Sequence, residues 1–256
     1  MKIKIPQNVN LILKIMHNEG YQAFVYGACI RDSLLGTKPI TWDICTNALP
    51  PEIILLFDDR NGFAAIPAIH DYSTVCLIYQ GENYRLGTFK TAEERRFSDD
   101  IHEALKHHDF TINSIAYNDK EGLIDPFGGV SDIQNKIIRC PGDPLVKINE
   151  DRIRILRAVR FEAQLGFEMD DSLLQVILSL KDGISFEHSE KLCNELTQIL
   201  LAEKPSLGIR RLQNLGLLKH LIPELLPTIG FDTHSSFHDK DVFEHSMSVL
   251  DYTKPN

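Results

Sequence analysis

The feature that most limits what this chain can become is a change of apolar period near residues 140–150. Before it, short apolar runs alternate with short helical stretches. After it, only the helical period remains. "YQAFVYG" reads as a strand ending at Gly27, and "IRDSLLG" as a helix stopping at Gly36. "TWDICT" reads as a second strand and "PPEIILLFDDR" as a helix with proline in its first turn. "STVCLIYQGENYRLGTFK" predicts two strands joined at Gln80-Gly81-Glu82-Asn83. "DFTINSIAYN" and "GLIDPFGG" follow as helix or strand and then a Gly-rich turn. From about Asn149 the helical period runs through "EDRIRILRAVRFEAQLGF", "DSLLQVILSLKDGI", "SEKLCNELTQILLAEK" and "PSLGIRRLQNLGLLKHLIPEL", separated by Gly, Pro and acidic breaks. An N-terminal amphipathic helix is expected from Leu11, Ile12, Leu13, Ile15 and Met16. The pattern is a mixed α/β part followed by a helical part. At 256 residues the chain has room for one large domain or two small ones.

Composition excludes several classes. Hydrophobic residues at 43% and charged residues at 25% are ordinary for a soluble globular protein. No apolar run approaches the roughly 18 residues of a membrane span. The first residues alternate apolar and polar types, unlike a signal peptide. The five cysteines are scattered without a paired spacing, so reduced core thiols in a cytoplasmic protein are expected. A net charge of −9 argues against a uniformly basic nucleic-acid surface. The charge is segregated, however: bases dominate Lys136–Arg160 and Lys204–Lys219, while acids dominate Thr91–Asp109.

Three places could carry chemistry. At Gly27-Ala28 a strand ends in small residues, which lets a phosphate approach the backbone, and the next helix start offers N–H groups. Arg31, followed by Asp32, adds a charged fork. The plainer reading is an ordinary strand–turn–helix. Asp43 stands in an apolar strand, where a carboxylate is costly unless paired or metal-bound. A partner sharing its face would stand at position 41, and Thr41 offers only a hydroxyl. The plainer reading is a local hydrogen bond. In "EDRIRILRAVRF", helical spacing sets Asp151, Arg154 and Arg157 on one face, with Arg160 at the margin of an apolar arc of Ile153, Leu156, Val159 and Ala163. An Asp-Arg pair suits a nucleobase edge, and the plainer reading is a solvated salt-bridged face.

Together these residues resemble the bacterial and eukaryotic (class II) tRNA nucleotidyltransferase and poly(A) polymerase family. "GACIRDSLLG" is similar to its Gly-Gly-x-x-Arg-Asp turn, and "TWDICTNALPPE" to its Asp-x-Asp metal strand. "KHHDFTINSIAYN" resembles its Arg-Arg-Asp-Phe-Thr-x-Asn block, "GLIDPFGGVSDI" its Asp-Pro-Phe-Gly-Gly block, and "EDRIRILRAVRFEAQLGF" its Glu-Asp-x-x-Arg helix. "FHDKDVFEHSMSVL" resembles the opening of the HD hydrolase domain that some members append, cut short.

The resemblance implies an α+β fold: a polymerase-β-like nucleotidyltransferase head over residues 1–140, an all-helical neck and body over 141–228 that binds RNA and base, and the truncated start of an HD-like domain over 229–256. It implies template-independent addition of CMP and AMP, from CTP and ATP, to the 3′ end of tRNA, with Mg²⁺. Asp43 would be catalytic and hold metal with Thr41. Gly27, Ala28, Arg31, Asp32, His108, Asp109 and Asn113 would handle the nucleotide, and Asp151, Arg154, Arg157 and Arg160 its base. The chain departs from the family pattern where chemistry is concentrated. The second Gly is Ala28, the first metal Asp is Thr41, the Arg-Arg pair is His107-His108, and the Arg of the Thr-Phe-Arg strand is Lys90. A paralogue that binds nucleotide or RNA without turnover, and a poly(A)-type enzyme adding AMP alone, are therefore the alternatives.

Overall fold

Val9, Ile12, Leu13 and Met16 recur at helical spacing and form the buried face of α1 (Gln7–Asn18), which packs on β1 (Ala23–Tyr26). The computed structural model describes residues 2–58, 62–69, 71–91, 96–182, 189–232 and 241–253. Two compact units share the chain, Met1–Asn135 and Lys136–Asn256.

In the first unit β1 is followed by α2 (Ala28–Leu34), β2 (Asp43–Thr46), α3 (Pro50–Phe57), β3 (Phe63–Pro67), β4 (Thr74–Tyr79), β5 (Glu82–Thr88), α4 (Ile101–Lys106), a 3₁₀ turn at Thr111–Asn113, β6 (Ala116–Asn118), β7 (Gly122–Ile124) and α5 (Gly129–Asn135). The seven strands make one sheet in the order β3-β4-β5-β2-β1-β6-β7. Among the described residues of this sheet, only β2 and β5 pair in parallel. A parallel pair needs a crossover, and α3 with the β3–β4 hairpin supplies it. Pro50 and Pro51 open α3, and the Glu52 carboxylate accepts the Leu49 N–H at 2.7 Å. The β4–β5 turn is the two residues Gln80 and Gly81, both at positive φ (52° and 80°), as a tight hairpin matching strand twist requires.

Side chains alternate across a strand. Phe24, Tyr26, Asp43, Cys45 and Arg85 therefore share one face of the central strands through the registers Phe24↔Cys45, Tyr26↔Asp43 and Asp43↔Arg85. On that face Phe24, Cys45, Phe89 and Ala116 form a buried cluster with Ile101 and Leu105 of α4. Val25, Ile44 and Leu86 alternate with the first set and are fully buried.

The second unit runs β8 (Ile137–Ile138), α6 (Pro144–Glu150), α7 (Ile153–Leu165), β9 (Glu168–Met169), α8 (Asp171–Leu180), α9 (Ser189–Leu200), α10 (Pro205–Asn214), α11 (Leu218–Leu221), a 3₁₀ turn at Pro223–Thr228 and α12 (Val242–Tyr252). It is helical as expected, apart from the short parallel pair β8–β9. α7 packs against α9 and α10. α10 comes so close that a Cβ on Gly208 would collide with the Ile199 side chain. Among the described residues no helix is long and apolar enough to cross a membrane.

Several expectations need correction. The strand expected over 41–46 begins at Asp43, because its partner β1 ends opposite at Tyr26 and the chain then turns at Gly27. The helix expected from Glu150 is broken at Asp151, which is extended (φ −154°, ψ 103°), so α6 ends and α7 begins afresh. The helix expected over 205–225 divides at Gly216, where φ is +72°. None of the five cysteines is in a disulfide, and Cys29, Cys45 and Cys140 are buried, but Cys193 is exposed and Cys76 half-buried. In the HD-like stretch, residues 237–240 lie outside the described residues, while His245 sits in α12.

Candidate functional site

Gly27 joins β1 to α2 at φ 76°, ψ −133°, a conformation that disfavours any side chain. Its N–H donates to the Ile115 carbonyl at 3.0 Å, and its carbonyl accepts from the N–H groups of Ile30 and Arg31, both at 3.1 Å. Ala28 begins α2. Arg31, only 9% exposed, donates from Nε and Nη2 to Asp32 Oδ1 (2.9 and 2.8 Å) and from Nη1 to Asn113 Oδ1 (2.9 Å). Asn113 Nδ2 in turn donates to Asp109 Oδ1 at 3.0 Å, which also accepts the Phe110 N–H at 2.7 Å. Four residues from two separate sequence blocks thus form one chain of hydrogen bonds. These bonds hold the Arg31 guanidinium against the turn.

A third block braces this network. Asp125 accepts the N–H groups of Gly129 (2.7 Å) and Val130 (2.9 Å) at the start of α5. Asp132 accepts the Thr111 hydroxyl in the interior. A Cβ on Gly129 would overlap the Thr111 carbonyl, so only glycine lets α5 lie this close to the Thr111–Asn113 turn.

Asp43 lines a cavity of about 180 Å³ with Tyr26, Asp71, Arg85, Lys90, His107 and His108. His107 and His108 therefore sit with Asp43, as their motif position implies. The His108 ring meets Tyr26 edge-on at 5.1 Å. Burial raises the Asp43 carboxyl above its ordinary value, and the positive charge of Arg85 pulls it back. Asp71 behaves oppositely. Burial pushes it up, but bonds from Ser73 Oγ (2.6 Å), Thr74 Oγ1 (2.7 Å) and Lys90 Nζ (3.1 Å) outweigh this and hold it well below the carboxylate range. Burial pushes the neighbouring Cys29 thiol up to about 12 and keeps it protonated.

Thr41 lies outside β2 and is exposed, so strand pairing does not hold its side chain on Asp43's face. Mg²⁺ wants hard oxygen donors, usually one or two carboxylates with substrate phosphates, and a two-ion site wants more. Here Asp71 is already bound by Lys90, and Asp43 has a guanidinium for a neighbour. Among the described residues no three His, Cys, Asp or Glu side chains are grouped to hold a metal. The donor set does not fit a pair of Mg²⁺ ions.

In the second unit the expected Asp151–Arg154 pair is replaced by another. Asp151 stands before α7 rather than in it, and its Oδ1 caps the helix by accepting the Ile153 N–H at 3.1 Å. Arg154, 9% exposed, donates from Nη1 to Glu150 Oε2 and to the Lys147 carbonyl, both at 2.6 Å. Arg157 and Arg160 share one carboxylate: their Nε atoms donate to Glu195 Oε1 (3.0 Å) and Oε2 (2.7 Å) on α9. Sequence reasoning missed Arg85, Asp71, Gly129, Asp132 and Glu195. Of these, only Gly129 and Asp132 carried a signal, since they fall in a block already singled out.

The model of the poly A polymerase head domain matches residues 23–139, and that of the probable RNA and SrmB-binding site of polymerase A matches 166–228. The CCA-adding enzyme of Geobacillus sp. (strain WCH70) is 34% identical over 219 residues, which are 82% of this chain and 53% of that protein. That of Staphylococcus aureus (strain MRSA252) is 30% identical over 254 residues, 95% of this chain and 58% of that protein. Among solved structures, the Bacillus stearothermophilus CCA-adding enzyme in complex with CTP is 32% identical with a TM-score of 0.76, over 84% of this chain and 53% of that one. A CCA-adding enzyme complexed with ATP is 27% identical with a TM-score of 0.73, over 86% and 54%. The chain spans about half the length of the curated relatives it matches. The fold is α+β, a polymerase-β-like nucleotidyltransferase head followed by helices. A head-domain match over the sheet and its motif network, joined to relatives at this identity, makes the chain a member of the tRNA nucleotidyltransferase (CCA-adding enzyme) and poly(A) polymerase family.

Proposed function

We propose that this chain is a template-independent nucleotidyltransferase of the cytoplasm that adds CMP and AMP, from CTP and ATP, to the 3′ end of tRNA. The observation that carries the reading is the Arg31–Asn113 hydrogen bond, which ties the Gly27 turn to the Asp109–Asn113 block 82 residues away. Residues 1–140 act as the head, 141–228 bind base and RNA, and 229–256 are HD-like in sequence. Gly27 and Ala28 leave room for phosphate, while Arg31, Asp32, Asp109 and Asn113 keep that turn rigid. His107 and His108 face the phosphates. Asp43 orients the primer 3′ hydroxyl and takes its proton as the oxygen bonds to the α-phosphorus and pyrophosphate leaves. Asp151, Arg154, Arg157 and Arg160 serve the base. The family implies Mg²⁺, but with Thr41 outside the strand Asp43 is, among the described residues lining the cavity, the one carboxylate that no cation's hydrogen bond already holds.

A second reading, binding without turnover, is favoured by Thr41 outside the strand and Arg85 beside Asp43. The deciding experiment incubates the protein with Mg²⁺, labelled CTP or ATP, and tRNA lacking its 3′ terminus. CCA addition supports the first reading. Addition of A alone points to the poly(A) type, and nucleotide binding with no addition to the second reading.

A further inference from the structure

Arg85 lies opposite Asp43 in the parallel β2–β5 register and lines the same cavity. It is exposed at the cavity's edge, so solvent and ligands reach it. Among the described residues its guanidinium makes no hydrogen bond or ion pair. A fork of N–H donors next to a half-buried carboxylate is thus left available in a space open to phosphate. The charges around it balance. Asp43 and Asp71 are matched by Arg85 and Lys90, and His107 and His108 complete the lining. Such a cavity does not repel an anion, whereas a cluster of carboxylates admits one only behind divalent cations. Guanidinium also matches phosphate geometry through two parallel N–H···O bonds, and it is less strongly hydrated than ammonium.

We propose that Arg85 takes the position beside Asp43 that a divalent cation would hold, so that the cavity grips the phosphates of CTP and ATP through a guanidinium and binds them without Mg²⁺. Asp43 then acts on Arg85 by charge alone, from the opposite position in the strand register. This rests on the reading of the cavity as a nucleotide site, and it explains the misfit between the donor set and a metal pair as a replacement rather than a loss.

The test is calorimetric titration of the whole chain with CTP and with ATP, in Mg²⁺ and in EDTA. Affinities within about threefold of each other are expected, since neither charged hydrogen bonding nor stacking to the nucleotide changes. Arg85→Gln should weaken binding by at least about tenfold in both buffers, the value of one charge-assisted hydrogen bond. Arg85→Glu sets a second carboxylate beside Asp43, and it should abolish binding in EDTA while sparing some in Mg²⁺. Arg85→Lys keeps the charge but not the fork and should fall between wild type and Arg85→Gln. Melting curves check that each variant is folded, as an exposed strand position allows. Affinity lost by more than tenfold on chelation, or unchanged by Arg85→Gln, overturns the proposal and leaves the nucleotide reading intact. Binding in neither buffer overturns both.

Discussion

Asn113→Ala cuts the hydrogen-bond chain at its middle. It removes the acceptor of Arg31 Nη1 at 2.9 Å and the donor to Asp109 at 3.0 Å. A hydrogen bond to a charged group contributes about 1.5–3 kcal/mol. Arg31 and Asn113 are 9% and 8% exposed, so water replaces the first bond poorly, and about 2 kcal/mol is lost there. Asp109 is half-buried, and water recovers part of the second, leaving about 1 kcal/mol. The sum is about 3 kcal/mol, or roughly 6–12 °C in melting temperature for a chain of this size. Urea and thermal unfolding followed by circular dichroism would read it, with Thr41→Ala, at an exposed site outside any strand, as the unperturbed control. A loss below about 1 kcal/mol would show that the chain of bonds is incidental, and the case for a shared turn would go with it.

Gly129→Ala should destabilise by about 1–3 kcal/mol or more, since its methyl group meets the Thr111 backbone rather than a flexible side chain; an unchanged melting temperature would mean α5 can slide outward freely. Glu195→Ala leaves two guanidinium groups facing a vacated, nearly buried site, and about 2–3 kcal/mol should be lost, near the low end for breaking a buried pair. Burial raises Glu150, but the Arg154 hydrogen bond and the Lys147 charge bring it below its ordinary value. A folded value below the unfolded one gives stability that is present above the unfolded value near 4.5 and is lost as pH falls through the folded value. Glu150→Gln should therefore flatten the acid side of the urea-midpoint profile, and an unaltered slope counts against the pairing.

Much of the fold could be read from local chemistry. The Gln80-Gly81 hairpin announced itself through a turn dipeptide between apolar runs, and β1 through four apolar residues ending in glycine. What escaped was set by partners distant in the chain. "TWDICT" has strand character throughout, but a strand is only as long as its neighbour, and β1 stops opposite Asp43. Asp151 satisfies helical spacing equally well as an interior residue or as a cap, and only the extended backbone at that point decides. β3 lacks clear alternation because it is a sheet edge, with Ile66 half exposed. The candidate site divides the same way. Asp43, His107, His108, Arg31 and Asn113 belong to recognisable blocks, whereas Arg85 reads as one solvated cation in a hairpin until the β2–β5 register brings it to Asp43.

Glu195, held by both Arg157 and Arg160, has a consequence for how salt would act on the proposed RNA binding. Nucleic-acid affinity ordinarily falls with salt because each basic side chain that meets a phosphate releases a condensed counterion. Two of the bases on α7 already share an internal anion. A phosphate arriving there would displace a carboxylate tethered to α9 instead of binding an open cation. Such an exchange still frees ions from the RNA, but it begins by breaking two hydrogen bonds, and the displaced Glu195 stays close by to compete. Contacts of that kind add selectivity for a ligand that fits more than they add raw attraction. With a net charge of −9, and with Arg157 and Arg160 both paired to Glu195, this face of α7 would select a ligand by its fit more than it would hold a polyanion by charge.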